Sequence, residues 1–235
     1  MNILNVKKIN GVPIIIDLIP ISNVTSRNGR KIIPTHITVH NTGNSSIGAG
    51  EDAHTEYVDN TSDYISWHLT CGDEKIYQEL PLDEMGYHCS SGNEYSIGIE
   101  ICEDKGSNYA IAEENAISII IYLMDLLDIP LENVVPHQFW NGKYCPHLIL
   151  DAEGGFEGFK ERIKNKMTLE ELKSQTPDEI INKAFDSGEE WINGCDFAEE
   201  FGKINGVGKG YILQYMRNGF KKAYLLGLED GKKLN

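Results

Sequence analysis

The chain has 235 residues, 40% of them hydrophobic and 24% charged, the balance of an ordinary globular protein with room for one core or a core plus a small partner. A formal net charge of −15 disfavours sequence-independent binding to nucleic acid or anionic membranes. No apolar run approaches the ~20 residues of a membrane helix, so no membrane insertion is expected.

The N-terminal stretch holds two lysines but no long apolar segment and no small-residue cleavage site, and it reads as the start of the mature fold. Strand-like runs follow at 13–19 and at 35–39, the second alternating into His40. Runs at 66–71 and 75–79 flank Gly72-Asp73, a hairpin turn. Alternation returns at 97–102. Residues 112–127 have the spacing of a buried helix, with Pro130 just past its end. Val134-Val135 leads into His137, and 155–166 predicts a closing helix. Strands mixed with buried helices predict an α/β layer fold, a mixed central sheet flanked by helices.

Residues 167–177 are polar, without an aromatic residue, and read as a linker. Charge is uneven across it: residues 1–167 carry 12 Lys+Arg against 24 Asp+Glu, and residues 168–235 carry 9 against 12. Beyond the linker the spacing is helical, and Lys183-Ala184-Phe185 with Gly188 and Glu190 is echoed by Lys222-Ala223-Tyr224 with Gly227 and Glu229. The division is therefore a catalytic domain at 1–166, a linker at 167–177 and a small helical domain at 178–235. Cys71, Cys89, Cys102, Cys145 and Cys195 are odd in number and form no CxxC pair, which points to a reducing cytoplasm rather than a disulfide framework.

His137 and Cys145 lie eight residues apart with the turn Asn141-Gly142 between them, and His40 ends a strand. Two imidazoles and a thiolate supply three ligands for Zn2+ and leave its fourth position to water, as in catalytic zinc sites. The same residues also fit two strand-capping histidines and a buried small cysteine. Glu100 is an acid inside an apolar strand, and burying it unpaired is costly, so it should face a polar pocket or a partner. Beside a zinc-bound water it would serve as general base. Lys143 precedes Cys145 by two positions, which in extended chain turns both side chains the same way; there it would stabilise an oxyanion. A buried salt bridge and a solvated surface lysine are the plain alternatives.

Residues from about 30 to 160 resemble the type 2 N-acetylmuramoyl-L-alanine amidases, which share their fold with peptidoglycan recognition proteins. The segments carrying the resemblance are His36-Ile-Thr-Val-His40-Asn-Thr-Gly43, Ser66-Trp67-His68, Ile76-Tyr77-Gln78, Ser96-Ile-Gly-Ile-Glu100-Ile-Cys102, and His137 through Cys145-Pro146. Among these, clostridial and bacillus phage endolysins are the most similar. The resemblance implies that His40, His137 and Cys145 bind zinc, that Glu100 is the catalytic acid/base, that Lys143 supports the transition state, and that His88 lines the substrate groove. It implies cleavage of the bond between N-acetylmuramic acid and L-alanine in Gram-positive peptidoglycan. It also implies accumulation in the host bacterial cytoplasm, release through a separate pore protein, and a wall-targeting role for 178–235.

Of the remaining histidines, His68 reads as a hydrogen-bonded core residue and His36 as a structural residue or one that orients a ligand. His54 reads as exposed. The tail segment Ile204-Asn-Gly-Val-Gly-Lys-Gly resembles a helix-hairpin-helix, but the surrounding acidity argues against nucleic acid as a partner. Three other functions are compatible with parts of the sequence: a non-catalytic wall-binding module, a cysteine amidase with Cys145 as nucleophile, and a host autolysin of identical chemistry. Oligomeric state and wall chemotype are not encoded in any of these motifs.

Overall fold

The computed structural model describes residues 3–174, with side chains described as far as Met167. The chain divides after Lys166 into two units, Met1–Lys166 and Met167–Asn235, and the first is the one described below. Its strands are β1 (Lys8–Ile9), β2 (Val12–Ile16), β3 (His36–Asn41), β4 (Leu69–Cys71), β5 (Ile76–Gln78), β6 (Ser96–Ile101) and β7 (Val134–Pro136). The helices among the described residues are α1 (Glu51–Asn60), α2 (Tyr109–Leu127), α3 (Gln138–Asn141), α4 (His147–Asp151) and α5 (Gly155–Ser174), the last of which begins in the first unit.

The strands form one mixed sheet in the order β1-β2-β5-β4-β6-β3-β7. Its centre is parallel: β6 pairs with β3 and β4, and β3 pairs with β7. The expected hairpin at Gly72-Asp73 joins antiparallel β4 and β5. A second hairpin joins β1 to β2 through Asn10 and Gly11, both at positive φ (52° and 80°), where an Asn-Gly pair is favoured.

Alternation in the two central strands determines what each face of the sheet does. Ile37 and Val39 of β3, with Ile97, Ile99 and Ile101 of β6, belong to the fully buried core. They share it with Ala112, Ala116, Ile119, Ile120 and Leu123 of α2 and with Phe156, Phe159 and Ile163 of α5. The opposite face carries His36, Thr38 and His40 of β3 and Ser96, Gly98 and Glu100 of β6, and in register His40 lies beside Glu100. One face supplies the core, and the other is left for polar chemistry.

Two helices differ from the sequence-based expectation. Residues 51–60, read as a polar stretch with an exposed His54, form α1, and His54 is half-buried. Two of the residues α1 turns inward, Glu51 and Thr55, are polar, so hydrophobic spacing does not reveal the helix. The closing helix continues to Ser174, eight residues beyond the expected boundary at 166, because 167–174 contains good helix formers and neither Gly nor Pro. The remaining residues of the expected linker and the expected domain at 178–235 lie outside the described residues.

The long connection between β2 and β3 is pinned by a buried ion pair. Arg27 grips Glu84 through Nε (2.7 Å) and Nη2 (3.2 Å), and Nη1 donates to the Ile19 carbonyl at 2.9 Å. Arg27→Ala leaves Glu84 buried with Lys31 alone, so unfolding free energy is expected to fall by about 3 kcal/mol, measured by urea denaturation.

Candidate metal and catalytic site

Three adjacent strands bring the site together at their C-terminal ends, where ligands bind in open α/β sheets. His40 is the fifth residue of β3 and Glu100 the fifth of β6, paired across the ladder. β7 ends at Pro136, opposite Val39, and the His137 backbone N–H donates to the Val39 carbonyl at 3.2 Å. His137 therefore emerges next to His40. The chain then turns through α3 and Gly142 (φ 80°), and the Gln138 N–H bonds the Cys145 carbonyl at 3.1 Å, returning Cys145 to the same spot.

His40 Nδ1 lies 3.0 Å from His137 Nδ1 and 3.8 Å from Cys145 Sγ, and one potential ligand atom from each residue lies within 4.8 Å of the others. All three residues are buried. A tetrahedral zinc with N ligands at ~2.0–2.1 Å and S at ~2.3 Å requires N···N and N···S separations of about 3.3 and 3.6 Å, so the donor set fits that ion. It is the one cluster of this kind among the described residues.

Electrostatics suit the same use. Burial lowers the basicity of His40, with His88, His137 and Lys143 adding to the effect, and takes His137 down to about 4. Both imidazoles are therefore neutral, the form that binds metals. Burial, reinforced by the negative charge of Glu100, pushes the Cys145 thiol up to about 11. Without a cation it stays protonated, which makes it a poor independent nucleophile.

Glu100 Oε1 is 3.9 Å from His40 Nδ1, while its buried Oε2 has no hydrogen-bond partner. Burial raises the Glu100 carboxyl well above the usual carboxylate range, opposed by Lys143 and assisted by Glu103. Glu100 and Lys143 share a cleft of about 390 Å³ with Asn41 and Thr42, and its other wall includes His54, Tyr57 and Trp67. The Cys145 N–H bonds the Lys143 carbonyl at 2.8 Å, so this segment is a tight turn and not the extended chain expected; the exposed Lys143 still lines the cleft with Glu100.

His88, expected to line the substrate groove, lies against His40. Its Nδ1 is 3.1 Å from His40 Nε2, its Nε2 is 3.3 Å from the Ser96 carbonyl, and it does not line the cleft that holds Glu100 and Lys143. His68 is fully buried, donating from Nε2 to the Glu84 carbonyl (2.8 Å) and accepting the Gly98 N–H at Nδ1 (3.0 Å). His36 packs against Phe139 and Trp140 and takes no part in the cluster.

Some residues have a place here that no sequence motif revealed. Asn41 accepts the Leu148 N–H at 3.0 Å and donates to the Tyr109 hydroxyl at 3.1 Å, tying the end of β3 to α4 and to α2. His54 and Tyr57 reach the cleft only because α1 exists.

Residues 28–148 match the N-acetylmuramoyl-L-alanine amidase family. The chain is similar to N-acetylmuramoyl-L-alanine amidase XlyA of Bacillus subtilis (strain 168), 46% identical over 150 residues covering 62% of this chain and 50% of XlyA. It is also 35% identical over 178 residues to CwlA of a Bacillus species, covering 71% of this chain and 69% of that protein. It spans about half the length of XlyA and 58% of CwlH, another curated relative from Bacillus subtilis (strain 168). Among solved structures, the catalytic domain of XlyA superposes with a TM-score of 0.61 at 46% identity, over 65% of this chain and 99% of that domain. PlyL gives 0.59 at 33% identity, over 65% and 97%.

Proposed function

The chain belongs to the N-acetylmuramoyl-L-alanine amidase family, and we propose from that premise that it hydrolyses the amide between N-acetylmuramic acid and L-alanine in Gram-positive peptidoglycan, with zinc held by His40, His137 and Cys145. The observation that carries the reading is the convergence of these three donors beside the unpartnered Oε2 of Glu100. A bound zinc ion supplies Lewis-acid polarisation of the substrate carbonyl and acidifies water toward a pKa of ~7.

The chain's own groups do the rest. The cleft between Lys143 and the α1 wall receives the lactyl–alanyl segment and orients its carbonyl toward the ligand cluster. Glu100, through Oε2, takes the proton of the attacking water and delivers it to the departing L-alanine amine. The Lys143 ammonium stabilises the oxyanion of the tetrahedral intermediate as it forms on the substrate carbon. The buried walls of His40 and Cys145 limit water on the metal side. We assign a phage endolysin role, with the enzyme made in the cytoplasm of the bacterium it lyses. On sequence alone, 178–235 tethers the acidic enzyme to its insoluble substrate and so raises effective concentration. Among the described residues no helix is long and apolar enough to cross a membrane.

Purified Gram-positive walls test the reaction directly. Exposure of new L-alanine amino groups without new reducing sugars is expected, lost on chelation and restored by zinc. Release that survives chelation but not thiol alkylation would instead make Cys145 a nucleophile. Wall binding with no release would leave a binding module.

A further inference from the structure

Hydrogen bonds around His40 run in one direction. A backbone carbonyl only accepts, so the contact at Ser96 requires that His88 carry its proton on Nε2. In the neutral ring, His88 Nδ1 is then an acceptor, and the 3.1 Å contact requires that His40 carry its proton on Nε2. That leaves His40 Nδ1, the atom facing His137 Nδ1 and Cys145 Sγ, unprotonated and an acceptor of hydrogen bonds from them.

His88 is built into this place. Its backbone N–H donates to Asn93 Oδ1 at 3.0 Å, and the Cys89 N–H donates to the same oxygen at 2.8 Å. Its ring lies over Gly98 of β6 so closely that a Cβ there would sit 2.8 Å from ring atoms. His68 meets the ring edge-on at 5.9 Å between centroids.

We propose that His88 is a positioning residue that relays the Ser96 carbonyl to His40 and fixes the His40 tautomer that leaves Nδ1 unprotonated. The consequence for zinc rests on the functional reading above; the tautomer itself does not. Metal-bound histidines generally need a partner on the other nitrogen, and here that partner is a second imidazole locked by main chain.

The test uses the full chain and three variants. In the metal-free wild type, with histidines 15N-labelled, His40 is expected to show a protonated Nε2 and an unprotonated Nδ1. His88→Asn places an amide oxygen where Nδ1 stood and should preserve that pattern. His88→Gln, closer to histidine in bulk, places its polar end toward Ser96 and should behave like His88→Ala, with His40 divided between tautomers. Zinc affinity, read by competition with a chelating dye, should fall about 10–100-fold in His88→Ala and His88→Gln and stay within about threefold in His88→Asn.

An unchanged His40 pattern in His88→Ala, or rescue by Gln rather than Asn, would overturn the proposal. If His88→Ala does not fold, the Asn and Gln variants decide. If the wild type takes up no zinc, the zinc reading fails, while the nitrogen shifts of the metal-free protein still decide the role of His88.

Discussion

Glu100→Gln is expected to lower wall hydrolysis by about 10²–10⁴-fold while leaving zinc uptake unchanged. Glutamine keeps the shape of the side chain and removes only its ability to carry a proton between water and amine. The stability readout should move the other way or not at all. Glu100 presents a buried oxygen with no partner, between Ile99 and Ile101 of β6, an arrangement that costs folding free energy. A neutral amide there leaves no carboxylate to desolvate, so the variant should be at least as stable as the wild type. Loss of activity with undiminished thermal stability is what a catalytic strain on the fold predicts. Activity within tenfold of wild type would remove Glu100 from the proton transfer.

Removing Cys145 is expected to act on zinc binding instead. Zinc sites in small domains bind with ~10–16 kcal/mol over four ligands, so one ligand is worth roughly 2.5–4 kcal/mol and its loss about 10²–10³-fold in affinity. Cys145→Ala should therefore copurify with little zinc by metal analysis, and its hydrolysis should fall with occupancy. Cys145→Asp keeps an anionic donor and should recover part of both. An alanine variant that still held one zinc per chain yet released no L-alanine would point to nucleophilic chemistry at the sulfur.

What the sequence makes legible here depends on whether a residue's role is written in its neighbours along the chain. β3 and β6 alternate, so their polar residues could be assigned to one face and Glu100 to a pocket. The turn at Asn141-Gly142 is local, so the return of Cys145 toward His137 could be read from it. α1 could not, because two of its buried positions, Glu51 and Thr55, are polar and its Tyr57 is exposed. The position of His88 was also hidden. Its partner is a carbonyl, which has no residue identity, and its fit depends on the missing side chain of Gly98 one strand away. The reach of the last helix to Ser174 was obscured because polarity was read as a linker where helix propensity still ran.

The division of β3 and β6 into an apolar face and a polar face that carries the proposed site bears on how such a chain can vary. A strand has a phase of two, so inserting or deleting one residue within 37–40 or 97–100 would exchange isoleucines for the residues of the site. Core and catalysis would be lost in one event, with no intermediate in which either survives. The loops after these strands carry no such phase. Length variation should therefore gather at 103–108 and at 42–50, and in the latter, whose Thr42, Asn44 and Ala49 line the cleft, it can reshape the cleft for different walls while the strands keep count.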